Sequence, residues 1–105
     1  MNTRQRHAVF FKALGHPIRL QILEILSQGQ SCVCDLVALT GKRQPCISQH
    51  LATLRDAGLV IAERQGWNIC YQLNETGLAE LEQLILTFFP SVRNTCSAIE
   101  RTSVR

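Results

Sequence analysis

The sequence has few charged residues, few aromatic residues and no apolar run long enough to cross a membrane. Charged residues make up 18% of its 105 residues, against about 25% in an average globular protein, which excludes the highly charged composition of a disordered chain. Charged side chains interrupt residues 1–30 throughout, so the continuous apolar centre of a signal peptide is missing. We expect one cytoplasmic domain without a membrane partner.

The sequence also lacks the residue patterns of common enzymes. It has no Ser/His/acid set, no glycine-rich phosphate loop and no acidic cluster suited to a catalytic metal ion. We therefore expect a binding protein and not an enzyme. The net charge of +3 is mildly basic, which suits a nucleic-acid-binding protein that clusters its basic residues or doubles its charge by forming a dimer.

Hydrophobic spacing predicts five helices and one β-hairpin. Apolar residues recur at helical intervals, and glycine and proline mark the turns between them. The predicted helices cover residues 4–14, 17–26, about 32–40, 45–56 and 75–89, and the predicted strands cover 59–64 and 67–73. A short helix, a tight turn and a second amphipathic helix make a helix-turn-helix, and the following hairpin adds a wing.

The expected fold class is therefore α+β and mostly α, a winged helix-turn-helix of four helices, a two-stranded hairpin and a C-terminal helix. Residues 1–90 are expected to form the DNA-binding and dimerisation domain, and residues 91–105 a polar tail. The pattern also predicts that Ser31 caps the third helix, that Leu39 lies on its buried side, and that Trp67 lies in the core of the hairpin.

The fourth predicted helix has an apolar face and a polar face. Ile47, Leu51 and Leu54 recur at i, i+4 and i+7 and are expected to face the core. The polar face carries amide and hydroxyl groups on its first turns, where a recognition helix reads base edges in the major groove. Basic residues in the preceding turn and at the hairpin tip suit phosphates. The predicted DNA contacts are Lys42, Arg43, Gln44, Ser48, Gln49, His50, Arg64 and Asn68.

Two cysteines stand one residue apart at the start of the third predicted helix. Thiolates select soft ions, so Cys32 and Cys34 are candidate ligands for As(III), Sb(III), Cd(II), Cu(I) or Zn(II). Thiols in the cytoplasm are expected to be reduced, and a helix N-terminus favours their ionisation. Because residues i and i+2 lie roughly 200° apart on an α-helix, one ion held by both thiols is expected to distort the helix and release DNA.

The other three cysteines are assigned to two roles, metal binding and packing. Cys96, in the predicted tail, is a candidate third metal ligand if the tail folds back. Cys70 alternates with aromatic residues of the hairpin, and Cys46 lies within the fourth helix. Both of these are expected to serve in packing, which is the common role of a free cysteine.

Several blocks of the sequence resemble, in order and spacing, the ArsR/SmtB family of small winged-helix repressors that sense metal or metalloid ions. The resemblance covers about residues 10–86. Its carriers are ALGHPIRLQIL (13–23), CVCDL (32–36), QPCISQHL (44–51), LRDAGLV (54–60) and RQGWNICYQL (64–73). The cysteine motif resembles the arsenic-responsive branch, which implies a repressor that leaves its operator when As(III) or Sb(III) binds.

The chain departs from the family pattern at two places that bear on the sensed ion. Val37 stands where arsenic-responsive relatives often have a third cysteine. The sequence has no histidine beyond His50, so the zinc site that some relatives build on the last helix is excluded. The first and last helices are more apolar than a minimal winged domain needs, which favours a two-fold homodimer reading half-sites about 34–36 Å apart.

Two other functions of the same fold remain open. One is a thiol redox or reactive-sulfur sensor that uses Cys32 or Cys34 together with Cys96. The other is a constitutive winged-helix DNA-binding protein whose cysteines are inert. The first requires a covalent disulfide or polysulfide, and the second requires operator binding that no ion changes.

Overall fold

A computed structural model describes residues 2–89 of the protein, so the predicted tail 91–105, with Cys96, lies outside the described residues. The described part contains five helices and three strands. They are α1 (Thr3–Leu14), α2 (Pro17–Leu26), β1 (Ser31–Cys32), α3 (Val33–Thr40), α4 (Gln44–Asp56), β2 (Val60–Gln65), β3 (Asn68–Leu73) and α5 (Glu75–Phe88). The predicted helices and hairpin are confirmed. No helix in this part of the chain is long and apolar enough to cross a membrane.

The sheet has three antiparallel strands in the order β1-β3-β2, not the two that the sequence predicts. The additional strand, β1, is only two residues long and pairs Ser31 with Tyr71 and Cys32 with Cys70. This pairing also overturns the prediction that Ser31 caps the third helix, because Ser31 lies in β1. Because the chain stays extended through Cys32, helix α3 begins one residue later than predicted, and Cys32 occupies its N-cap without a side-chain hydrogen bond.

The core lies between the helices and one face of the sheet. Ile47, Leu51 and Leu54 of α4 are fully buried, as predicted, and burying each contributes about 1.5–3 kcal/mol. Their burial fixes which face of α4 points outward. The other buried apolar side chains come from the remaining helices and the start of β2: Phe10, Ala13, Ile22, Leu26, Leu36, Ala57, Leu59, Val60, Leu81 and Leu84.

Two predicted core positions are wrong. Leu39 is 61% exposed, because the inward side of α3 is formed by Val33, Leu36 and Val37, and Leu39 lies off that side. Trp67 is fully exposed. It occupies the two-residue turn between Gln65 and Asn68, where a side chain projects beyond the paired strands and cannot reach the core.

A close contact between two glycines holds α5 against the turn that follows α4. A Cβ atom added at Gly77 would lie 1.8 Å from the carbonyl oxygen of Gly58. The Nδ2 atom of Asn74 donates to the same oxygen at 2.9 Å. One turn further along α5, Arg6 of α1 forms an ion pair with Glu80 at 3.0 Å. These contacts set the position of the two terminal helices relative to the helix-turn-helix.

Candidate DNA-binding surface and thiol site

The turn between α3 and α4 is shaped by Thr40 and Gly41. The hydroxyl of Thr40 donates to the carbonyl oxygen of Leu36 at 2.7 Å and accepts from the backbone N–H of Lys42 at 3.2 Å. Gly41 has φ +71°, a left-handed conformation that favours glycine. The turn therefore ends α3 sharply and directs the chain into α4 with Lys42 and Arg43 exposed.

The outward face of α4 carries the side chains predicted to read DNA. Gln44, Ser48 and Gln49 are exposed, opposite the buried apolar face. Arg43 is the N-cap of the helix and makes no side-chain cap bond, so the first-turn N–H groups stay open to an anion such as a phosphate. The wing places Arg64 and Asn68 near its tip, and both are exposed.

His50 differs from the other predicted DNA contacts because its ring lies partly inside the protein. It is half-buried, and its ring centroid is 4.3 Å from that of His16, the N-cap of α2. Its pKa is lowered, first by burial and then by the charges of His16 and Arg19. The ring is therefore neutral near neutral pH and is held against α2.

The two thiols predicted to bind a soft ion lie close together. One ligand atom from each of Cys32, Cys34 and Asp35 falls within 4.8 Å of the other two. Cys32 has an extended backbone, with φ −84° and ψ 166°, and only Cys34 lies inside the helix. The geometric premise of the predicted distortion is therefore wrong, because the 200° separation applies only when both residues are helical. The thiols approach each other while the helix stays regular.

The expected ionisation of Cys34 is also corrected. Its pKa is raised, first by the hydrogen bond with Cys32 and further by the negative charges of Cys32 and Asp35. Together with desolvation, these neighbours outweigh the backbone hydrogen bond of Asp35 in the first turn of α3, which lowers the pKa of Cys34. The protonated form of Cys34 is therefore favoured more than in a free cysteine.

The thiols and the start of the recognition helix share one surface cleft. The cleft has a volume of about 280 Å³. It is lined by Cys32, Val33, Cys34, Gln44, Trp67, Asn68 and Ile69. The sequence predicts that the cysteines lie near α4. It does not show that residues at the tip of the wing line the same cleft, since this depends on how β3 pairs with β1.

The remaining described cysteines are half-buried. Cys46 lies on α4. Cys70 lies directly opposite Cys32 in the sheet, and its Sγ atom donates to Oε1 of Gln65 at 3.6 Å. Tyr71 and Leu73 pack on the core, and neighbouring side chains of a strand alternate between faces. Cys70 is therefore on the outward face of the sheet, and it alternates with the core-facing residues Tyr71 and Leu73 as the sequence predicts.

A helix-turn-helix with an open polar face, followed by a β-hairpin, defines a winged-helix DNA-binding transcriptional regulator. Comparison with known proteins gives the family. Residues 16–62 match the family described as bacterial regulatory protein, arsR family. An uncharacterised HTH-type transcriptional regulator of Methanocaldococcus jannaschii is 42% identical over 71% of this chain and 86% of its own length.

Two further relatives carry a description that mentions arsenic. The arsenical resistance operon repressor of Staphylococcus xylosus is 38% identical over 72% of this chain and 73% of its own length. A crystal structure described as a possible transcriptional regulator for arsenical resistance is 33% identical, has a TM-score of 0.69, and is matched over 74% of this chain and 81% of that chain. The protein belongs to the ArsR family of transcriptional repressors, and it is a DNA-binding regulator and not an enzyme.

Proposed function

We propose that this protein binds an inverted-repeat operator as a homodimer and leaves it when a soft ion binds Cys32 and Cys34 in a reducing cytoplasm. The proposed inducers are As(III) and Sb(III), with Cd(II) or another soft ion as a further candidate. The observation that carries the proposal is the shared cleft, in which both thiols lie beside Gln44, the first residue of the recognition helix. The donor set fits such an ion, since two thiols within 4.8 Å of each other suit a soft cation.

DNA recognition is assigned to the exposed face of α4 and to the wing. Gln44 and Gln49 carry amides that can pair with adenine, and Ser48 can pair with several bases. Lys42, Arg43 and the N-terminus of α4 suit phosphates, and Arg64 and Asn68 extend the contact from the wing. We assign His50 to positioning α4, because its ring is held by Arg19 and His16.

Homodimer formation is assigned to α1 and α5. Phe11 of α1 and Ile85 and Phe88 of α5 are exposed apolar side chains, and Phe89 follows them. His7 of α1 contacts Phe88 edge-on, with ring centroids 5.6 Å apart, so the two helices share one surface. Exposed apolar groups of this size favour association, and a two-fold dimer gives the two recognition helices that an inverted repeat needs.

Release from DNA is assigned to movement of α4 and not to unwinding of α3. Cys32 lies on β1 and Cys34 in the first turn of α3, and α3 packs against α4. A change in the spacing of the two thiols therefore displaces the junction at which β1 passes directly into α3. Gln44 lies across the same cleft, so the displacement acts at the end of α4 that enters the major groove.

Operator release during ion titration tests this function. A fluorescent operator, selected from random inverted repeats, is bound to the reduced full-length protein, and As(III), Sb(III), Cd(II) and Zn(II) are added while anisotropy is measured. We expect As(III) and Sb(III) to release the wild type and a Cys46→Ser control, and to leave the Cys32→Ser/Cys34→Ser variant bound.

The alternative functions give different results in the same assay. A constitutive regulator stays bound whichever ion is added. A redox or reactive-sulfur sensor is released by peroxide or polysulfide, and intact-mass spectrometry then shows loss of two hydrogens per disulfide or gain of sulfur. Either result contradicts the proposed inducer.

A further inference from the structure

The sheet places Cys70 of the wing directly opposite Cys32. The two residues are antiparallel partners in the β1–β3 ladder, and side chains of such partners point to the same face with Cβ atoms about 4.5–5.5 Å apart. Since Tyr71 lies on the core face, both thiols lie on the outward face. Three cysteines, on β1, α3 and β3, therefore converge on one side of the sheet.

The cluster of Cys32 and Cys34 lacks a third soft donor of its own. Its third member is Asp35, whose carboxylate oxygen is a hard donor poorly suited to a soft ion. A trivalent metalloid such as As(III) forms three bonds, so two thiols leave one position to be filled. Among the described residues, the remaining cysteines are Cys46, on α4, and Cys70, the strand partner of Cys32.

The thiol of Cys70 makes one weak side-chain contact. Its Sγ atom donates to Oε1 of Gln65 at 3.6 Å at an exposed site, and such a contact contributes little against water. A cysteine side chain has a single rotatable torsion with staggered positions. Rotation about this torsion is enough to release the sulfur from Gln65.

We propose that Cys70 is the third thiolate ligand of the inducer site, together with Cys32 and Cys34. This inference rests on the proposed function. With arsenous acid, As(OH)₃, each thiol replaces one hydroxyl: one As–S bond forms, one As–O bond breaks, and the thiol proton leaves with the hydroxide as water. Three waters are released, arsenic remains As(III), and neither oxidant nor reductant is needed.

A ligand on β3 joins the inducer site to the wing. Cys70 is paired with Glu63 of β2 and lies two residues from Asn68, so a shift at Cys70 moves the hairpin that carries Arg64. When Cys70 binds the ion, Gln65 loses the hydrogen bond from the Cys70 thiol. The Nε2 atom of Gln65 donates to Oε1 of Gln30 at 3.4 Å, and Gln30 immediately precedes β1. Inducer binding therefore changes the wing and the start of α3 together.

Protection of individual thiols tests the assignment. The reduced full-length protein is incubated with sodium arsenite, labelled briefly with a maleimide, and digested for peptide mass spectrometry. The labelling rate of each cysteine is compared with that of the arsenite-free protein. We expect arsenite to slow the labelling of Cys32, Cys34 and Cys70 at least tenfold and to leave Cys46 unchanged.

The outcomes separate this inference from the proposed function. Protection of Cys32 and Cys34 with Cys70 labelled at its original rate overturns the inference and leaves the proposed function standing. Protection of Cys96 in place of Cys70 also overturns it. Absence of protection at every cysteine contradicts both.

Arsenite affinity gives a second readout. Removal of a residue that only supports a metal ligand typically weakens a metal site by about 10–100-fold, so removal of a direct ligand in Cys70→Ser should weaken arsenite binding at least tenfold. The matched control is Cys46→Ser, which removes a half-buried thiol outside the site and should bind arsenite as the wild type does. Circular dichroism melting verifies that both variants fold, and equal arsenite affinity in two folded variants overturns the inference.

Discussion

His50 of the recognition helix accepts a hydrogen bond from Arg19 of α2, with Nδ1 of the histidine 3.2 Å from Nη1 of the guanidinium. A guanidinium can only donate, so the histidine is neutral and carries its proton on Nε2. Arg19 also donates to the carbonyl oxygens of Ala13 and Lys12, at 2.7 and 3.1 Å. One arginine therefore joins the end of α1 to α4 and fixes the orientation of the recognition helix.

Protonation of His50 is expected to destabilise the fold as the pH falls. Its pKa in the folded protein lies below the ordinary value of 6.5, mainly through burial and then through His16 and Arg19. Below about pH 6.5 the unfolded chain takes up a proton that the folded chain does not, so stability rises with pH across this window. We expect the melting temperature to decrease between about pH 7.5 and about pH 5.5.

Two variants identify His50 as the source of this dependence. His50→Gln keeps an oxygen that can accept from Arg19 but does not titrate, so its melting temperature should depend less on pH. His7→Gln removes a histidine that lies elsewhere, against Phe88, and should keep the wild-type dependence. Equal pH slopes for wild type and His50→Gln would contradict the assignment.

Gly77→Ala is expected to destabilise the protein strongly. The added Cβ would meet the carbonyl oxygen of Gly58 at 1.8 Å, and a backbone atom cannot rotate away as a side chain can. Overpacking of a tight contact costs about 1–3 kcal/mol or more, and α5 must also lose the hydrogen bond from Asn74 to the same oxygen if it moves outward. Urea denaturation measures the decrease in stability.

A nearby substitution controls for the effect of helix composition. Thr76→Ala lies next to Gly77 on α5, and its side chain is exposed. Alanine is a better helix former than threonine, so this variant should be as stable as the wild type or slightly more so. Equal stability of Gly77→Ala and wild type would show that α5 does not pack on Gly58 as the structure has it.

Local periodicity was enough to predict most of the fold. Ile47, Leu51 and Leu54 identify the inward face of α4 because their spacing repeats over a long helix. The strand β1 gives no such signal, since two residues are too few to show alternation and its pairing is decided by Tyr71 and Cys70, far along the chain. The extended backbone at Cys32 follows from the pairing of β1 with β3, so it could not be predicted without knowledge of that pairing.

The candidate site was also predicted only in part, because its geometry depends on strand pairing between distant parts of the chain. Cys32 and Cys34 could be identified from their soft donors and close spacing. The arrangement that brings them together depends on Cys32 being outside the helix. The proximity of Trp67 and Asn68 to these thiols depends on the register of β3, which no local pattern encodes.

Arg64→Gln is expected to weaken operator binding with little change in sequence preference. Arg64 is exposed on the wing, and a basic residue there suits the DNA backbone, which is the same for every sequence. The slope of log affinity against log salt should become shallower by about 1 for each phosphate that the variant no longer neutralises. Anisotropy titrations at several salt concentrations measure both the affinity and this slope.

Arg55→Gln is the matched control for this experiment. It removes the same charge from an exposed residue in the last turn of α4, away from the N-terminal turns that face DNA. Its salt slope should stay close to that of the wild type. If both variants weaken operator binding equally, the effect comes from net charge and not from the wing.

Trp67 should report ion binding directly. It is the one tryptophan of the sequence, it is fully exposed, and it lines the cleft that contains Cys32 and Cys34. Because the indole and the two thiols line the same cleft, a change in the cleft alters the fluorescence of Trp67. We expect arsenite to change the emission of the reduced wild type in a saturable titration.

The thiol variants decide whether that signal comes from the proposed site. Cys32→Ser/Cys34→Ser keeps Trp67 and the wing but removes the soft donors, so arsenite should leave its emission unchanged. Cys46→Ser should give the wild-type titration, because it keeps Cys32, Cys34 and Cys70. An equal fluorescence change in the double variant would place the ion elsewhere and would contradict the assignment of Cys32 and Cys34 as ligands.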